Sequence, residues 1–295
     1  MDATAITPSL LRSWPLPMPA PDGDKEVRGH LLIVAGSEEM PGAIVLAATA
    51  ALRAGAGKLT LATGASVAAQ VAIAMPEARV IGLDETAQGG FRHEARHQLA
   101  PLAGKVDAVL VGPGMCDTAA SCELMRHLLP LFADSRLILD ARAMQVVRQP
   151  AHFRFTQPVL LTPHAGELAQ LMGVTKDAVL ADPHACATDA ARRWHAVVAL
   201  KGALTALAMP DGSSWTHGAH AGGNIGLAIS GSGDTLAGII AGLAARGAPL
   251  AQACAWGIAL HALAGEQLAL RFGILGYLAR EIPAEIPALL RHLAA

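Results

Sequence analysis

The segment Ser230-Gly231-Ser232-Gly233-Asp234-Thr235-Leu236 sets one carboxylate among glycines in front of an apolar series. Glycines let the backbone turn tightly and bring several N–H groups close to an anion. Leu236, Ile239, Ile240 and Leu243 follow at helical spacing, so the loop opens a helix. The N–H groups and dipole of that helix would stabilise developing phosphate charge. Gly231, Ser232 and Gly233 form the candidate anion hole. Asp234 admits two readings: an N-cap that satisfies free N–H groups, or a general base that takes a proton from a substrate hydroxyl.

Further polar residues stand directly after short apolar runs. Lys201-Gly202 follows Val197-Val198-Ala199-Leu200, and Asp140 follows Leu137-Ile138-Leu139. The run before Lys201 predicts burial, so a nucleotide-phosphate contact suits it better than a solvated role, and Asp140 reads as a ligand-facing carboxylate. Thr162-Pro163-His164-Ala165-Gly166-Glu167 follows Val159-Leu160-Leu161, with Pro163 ending a strand and Glu167 opening a helix. A glutamate in a first helical turn is favoured by the dipole whatever else it does. The remaining histidines, His93 and His127 among them, show no metal-ligand spacing and read as structural or surface residues.

The elements that must position these residues alternate between strand and helix. Strands are expected at His30 to Val34, Leu59 to Ala62, Val106 to Val111, Leu137 to Leu139, Val159 to Thr162 and Val197 to Leu200. A helix is expected from Gly42 to Ala54, and a hairpin from Thr205 to Thr216 around Asp211-Gly212. This order predicts a three-layer α/β/α fold on a mostly parallel sheet, with ligands beyond the carboxyl ends of the strands. Residues 1–28 read as an irregular, proline-rich lead-in with a turn at Pro21-Asp22-Gly23; residues 29–295 read as one domain.

Composition excludes several function classes. A formal charge of -2 and 3% aromatic residues offer neither a phosphate-backbone patch nor a stacking surface, so no nucleic-acid partner is expected. Hydrophobic residues make up 53% of the chain, yet Arg53 and Arg246 break the longest apolar runs well short of the roughly 18–20 residues that span a bilayer. No membrane association is expected. The N-terminus lacks a charged region followed by an apolar one, so no signal peptide is read and the cytoplasm is the expected compartment. Cys116, Cys122, Cys186 and Cys254 form no CxxC pair and read as buried, reduced thiols.

The Gly-Ser-Gly-Asp loop before an Ala/Gly-rich helix resembles the anion hole and base of ribokinase-like kinases. Gly36-Ser37 with Pro41-Gly42-Ala43, Arg53 to Gly57, Gly112-Pro113-Gly114, Thr162 to Glu167, Lys201-Gly202 with Thr205, and Gly223-Asn224 extend the likeness in order from about residue 28 to about residue 292. Together they resemble one branch of that superfamily, the ADP-dependent NAD(P)H-hydrate dehydratases. The resemblance implies a ribokinase-like fold and repair of hydrated NADH or NADPH, with ADP or ATP as co-substrate and Mg²⁺ as cofactor. It implies that Asp234 is the catalytic residue, and that Ala43, Gly114, His164 and Asp234 contact the hydrated nicotinamide nucleotide. It also implies an adenine nucleotide site at Lys201, Gly202, Ala203, Leu204 and Thr205, with Gly233 near the phosphates. Glu167 would hold Mg²⁺ through water, and the chain would form a homo-oligomer, a tetramer by preference. Arg142, Met115-Cys116 and Ile225 to Ile229 depart from the family pattern.

Two other functions share parts of this reading. A conventional ATP-dependent kinase for a hydroxylated metabolite or vitamin precursor would use the same anion hole and base, but release a stable phosphate ester. A non-catalytic nucleotide sensor would need neither Asp234 nor Glu167.

Overall fold

The computed structural model describes residues 3–20, 25–148, 152–218 and 224–294. Its strands are β1 (Thr4–Ala5), β2 (His30–Val34), β3 (Lys58–Gly64), β4 (Arg79–Leu83), β5 (Ala108–Val111), β6 (Arg136–Leu139), β7 (Val159–Leu161), β8 (Val197–Leu200), β9 (Leu204–Ala208) and β10 (Ser214–Gly218). The helices are α1 (Pro8–Ser13), α2 (Gly42–Arg53), α3 (Ala68–Ala74), α4 (Arg96–Leu99), α5 (Thr118–Leu131), α6 (Ala165–Met172), α7 (Lys176–Ala181), α8 (Pro183–Trp194), α9 (Ser232–Ala245), α10 (Leu250–Phe272) and α11 (Ile282–Ala294). The strands form one sheet in the order β1-β10-β9-β8-β7-β6-β5-β2-β3-β4. Only β9 runs against its neighbours; the other pairings are parallel.

Side-chain alternation along the central strands splits the core in two. Leu31, Ile33 and Leu110 face a layer containing α2, α9, α10 and α11. Leu32, Val34, Val109 and Val111 face a layer containing α5 and α8. Both faces are covered, which is why these strands read as continuous apolar runs and why the expected three layers form.

One helix pair fixes the geometry of the site. A Cβ at Gly238 would lie 2.2 Å from the Ala47 carbonyl oxygen, and one at Gly242 would lie 2.4 Å from that of Ala51. Residue numbers rise together along the two helices, so α2 and α9 run parallel in backbone contact, and their N-termini end side by side. Gly238→Ala is therefore expected to destabilise the protein by about 1–3 kcal/mol, because backbone must shift to admit one methyl group. That cost outweighs the roughly 1 kcal/mol of helix propensity gained over glycine. A lowered urea midpoint would register it.

The N-terminal segment corrects the reading of residues 1–28 as irregular. Ile6 N–H donates to the Thr216 carbonyl at 2.8 Å, continuing the pairing of β1 with β10. Thr7 caps α1, and Pro8 begins it. Trp14 stacks on Trp215 with centroids 5.6 Å apart, and its carbonyl accepts from Gln252 Nε2 and Trp256 Nε1. Arg246 donates to the Pro17 carbonyl. The proline-rich stretch is thus held by side chains more than 200 residues away. The turn read at Pro21-Asp22-Gly23 lies outside the described residues.

Among the described residues no helix is long and apolar enough to cross a membrane. The four cysteines are free thiols, as expected, but only Cys254 is buried; Cys116, Cys122 and Cys186 are partly exposed.

Candidate active site

The carboxyl ends of β2, β5, β6, β7 and β8 bring the polar segments to one edge of the sheet. Gly36 N–H donates to the Pro113 carbonyl at 2.7 Å, tying the loop after β2 to the loop after β5. Gly114 has φ +65, and a Cβ there would lie 2.5 Å from the Ala43 methyl group. Ala43 and Gly114 therefore touch each other, and this packing by itself requires small residues at both positions.

At the start of α9 the N-cap is Gly231, at φ 85, and Asp234 is the third helical residue. The capping reading of Asp234 is thereby corrected: a positive φ suits glycine, which takes the turn and leaves the carboxylate free. Ser232, read as part of the anion hole, has its N–H 3.3 Å from the Ile229 carbonyl. Its hydroxyl lies 3.1 Å from His261 Nε2, so it holds the turn in place. Among the described residues, the N–H groups of Gly231, Gly233 and Asp234 have no acceptor, as expected at a helix N-terminus. His261 is buried, and burial pushes its pKa down to about 4 against the pull of the Ser232 carbonyl. The imidazole is thus neutral, a fixed support behind the loop that no sequence spacing announces.

Lys201 joins the parts. Its Nζ lies 2.8 Å from Asp140 Oδ1, which also accepts from the Thr162 hydroxyl at 2.7 Å. Asp140 is 3% exposed, so the ligand-facing carboxylate read from the sequence is instead the internal counter-ion of Lys201. Burial works against the Lys201 ammonium, but Asp140, Glu167 and Asp234 together outweigh it and hold its pKa above the usual lysine value. A Cβ at Gly233 would come within 3.5 Å of Lys201 Nζ, so the ammonium sits at the start of α9.

Asp234 is pushed up to about 6, first by burial and then by repulsion from Asp140, with Lys201 opposing. Among the described residues nothing donates a hydrogen bond to its carboxylate. A carboxylate of raised pKa, without a hydrogen-bonded partner and beside free N–H groups, is poised to take a proton near neutral pH.

His164 and Glu167 form a reciprocal cap on α6. His164 Nδ1 accepts from Gly166 and Glu167 N–H at 3.0 and 3.3 Å, and Glu167 Oε2 accepts from His164 N–H at 2.8 Å. The helix-start reading of Glu167 is correct. His164 acts as a hydrogen-bonding cap, with its side chain 60% exposed and its Nε2 3.6 Å from Glu167 Oε2. Gly202, Ala203 and Leu204 are exposed and Thr205 is half-buried, so this loop lies open beside Lys201. Asn224 caps the short turn Ile225–Leu227 and accepts from the Tyr277 hydroxyl; Gly223 lies outside the described residues.

The family model of NAD(P)H-hydrate dehydratase matches residues 31–288. An ADP-dependent (S)-NAD(P)H-hydrate dehydratase of Xanthomonas campestris pv. campestris is 50% identical over 98% of this chain and 96% of that protein. A bifunctional NAD(P)H-hydrate repair enzyme of Moorella thermoacetica is 38% identical over 98% of this chain, which spans 54% of that longer protein. The ADP/ATP-dependent NAD(P)H-hydrate dehydratase of Bacillus subtilis, co-crystallized with ATP/Mg²⁺, superposes with a TM-score of 0.85 at 30% identity, covering 99% of each chain. The sheet and its flanking helices are accordingly ribokinase-like. The match covers the sheet, both helix layers and every segment brought to its carboxyl edge, and the chain belongs to the NAD(P)H-hydrate dehydratase family.

Proposed function

We propose that the chain is an ADP-dependent (S)-NAD(P)H-hydrate dehydratase, a hydro-lyase that returns hydrated NADH or NADPH to the dihydropyridine while ADP becomes AMP and phosphate. The observation that carries this is Asp234, whose carboxyl is pushed up to about 6 and stands at the free N-terminus of α9 in a chain of this family.

The hydrate bears a hydroxyl on the ring carbon beside nitrogen, and hydroxide leaves poorly. Asp234 takes the hydroxyl proton as that oxygen attacks the terminal phosphorus of ADP, and the bond from that phosphorus to the AMP oxygen breaks. The ring nitrogen then pushes out phosphate, and loss of a proton from the neighbouring ring carbon restores the double bond. Gly231 and Gly233 amides, with Lys201 beside them, stabilise charge on the transferring group. Ala43, Gly114 and His164 Nε2 contact the nicotinamide nucleotide, and the open Lys201–Thr205 loop takes the adenine nucleotide. Ala43 against Gly114, and parallel α2 beside α9, support a single composite site.

The residues suit Mg²⁺. Glu167 commits Oε2 to the His164 N–H, and among the described residues no hydrogen bond engages Oε1. One carboxylate plus waters and nucleotide phosphates is an ordinary setting for this ion. Glu167 would hold Mg²⁺ through water, and the bound ion would neutralise phosphate charge. Exposed Leu270, Phe272, Ile274 and Leu275 around the end of α10 support a homo-oligomer, a tetramer as in the sequence expectation. We place the enzyme in the cytoplasm, with residues 29–295 as its catalytic domain.

The test is a repair assay on NADH hydrate and NADPH hydrate with ADP and ATP compared side by side. Recovery of the dihydropyridine absorbance with stoichiometric AMP from ADP is expected. A persistent phosphorylated product, with ADP formed from ATP, would replace this reading with that of a small-molecule kinase.

A further inference from the structure

Away from the carboxyl edge, the structure gathers residues that sequence spacing does not connect. Glu123 and His127 are one helical turn apart on α5, and His93 reaches them from the short turn His93–Ala95. One ligating atom from each lies within 4.8 Å of the others. His93 Nδ1 is 3.4 Å from Glu123 Oε1, and the rings of His93 and His127 stack with centroids 5.2 Å apart. The reading of these histidines as lacking metal-ligand spacing holds along the chain but not in space.

We propose that His93, Glu123 and His127 form a binding site for a divalent transition ion of the Zn²⁺ type, clamping the segment before α4 to the outer face of α5. Two imidazoles and a carboxylate are a donor set for a borderline ion, unlike the oxygen-rich setting that Mg²⁺ prefers. Donors at about 2.0–2.1 Å from a tetrahedral Zn²⁺ stand about 3.4 Å apart. The His93–Glu123 separation already equals that figure, and the His127 ring, now stacked on His93, would turn to aim a nitrogen at the same point.

A supporting group is present as well. Glu94 Oε1 lies 3.4 Å from His93 Nε2, on the opposite ring edge from Glu123. With Nδ1 and Glu123 both turned to an ion, a carboxylate at Nε2 would orient the ring, as outer carboxylates do for metal-bound histidines. Arg92 and Arg96 are the cations that act on this neighbourhood, opposite the carboxylates of Glu94 and Glu123. Three protein ligands leave room for water as a fourth.

The test is calorimetric titration of the metal-stripped full chain with Zn²⁺ alone, followed by Co²⁺ absorption as a reporter of coordination geometry. Saturable uptake of one equivalent is expected, with a rise in melting temperature. His127→Ala and His93→Ala should each weaken binding about tenfold or more and abolish that rise. Glu123→Gln, which preserves shape and helix, should weaken binding in the same direction, so a folding defect in either alanine variant leaves the proposal testable. Basal dehydratase activity should be unchanged in His127→Ala. Absence of saturable binding, or equal affinity in the wild type and Glu123→Gln, would overturn the proposal.

Discussion

Asp234→Asn is expected to lower kcat by about 10²- to 10⁴-fold, the usual range for loss of a positioned general base, and at the same time to stabilise the fold above about pH 6. The first effect follows from the proposed proton transfer, since the amide cannot accept the hydroxyl proton. The second follows from the direction of the pKa shift. Asp234 is raised from 3.8 to about 6 by burial and by Asp140, so the folded state holds its proton more tightly than the unfolded chain. Stability from this group is complete below the unfolded value, falls as pH rises between the two, and stays low above the folded value. The difference corresponds to at most ~3 kcal/mol. An asparagine is neutral throughout and escapes that loss. Urea unfolding of both proteins on either side of this window should show the variant gaining on the wild type as pH rises. The wild-type rate should climb through the same window. A variant that keeps full dehydratase activity would remove Asp234 as the base.

Lys201→Met is expected to cost about 3–5 kcal/mol of stability, because it strips the counter-ion from a carboxylate with almost no solvent access. Among the described residues, Asp140 would retain only the Thr162 hydroxyl. Lys201 also lowers the pKa of Asp234, so its removal should carry the acid limb of the pH–rate profile to higher pH. Pairing Lys201→Met with Asp140→Asn separates the two roles of the lysine. The double variant should recover most of the stability, since neither charge is then buried alone, but not the activity, which needs a cation beside Gly233. Recovery of both would confine Lys201 to holding Asp140. In that case the anion hole would rest on backbone amides alone.

Much of the architecture was legible because it is written in local patterns. The buried parallel strands appeared as apolar runs, the start of α9 as a glycine turn before a helical stripe, and the hairpin of β9 and β10 as Asp211-Gly212 between extended segments. The N-terminal segment was misread for the opposite reason. Its prolines are local, whereas Gln252, Trp256 and Arg246, which hold it, are distant in the chain. The same limit applied to Asp140: a strand-ending carboxylate looks alike in sequence whether it faces a ligand or a buried lysine.

By itself the sequence determined the layer order, the edge of the sheet where polar loops gather, and the family, since each depends on residue types within a few positions of one another. The tertiary structure alone decided what each group is free to do. It gave the cap of α9 to Gly231 and released Asp234, engaged Asp140 with Lys201, turned His164 Nδ1 onto its own helix, and brought His93 to Glu123 and His127. The physical reason is that a pKa, an ion pair or a ligand set is a property of distance and burial in space, and packing between remote elements, such as Gly238 on Ala47, is what sets those distances.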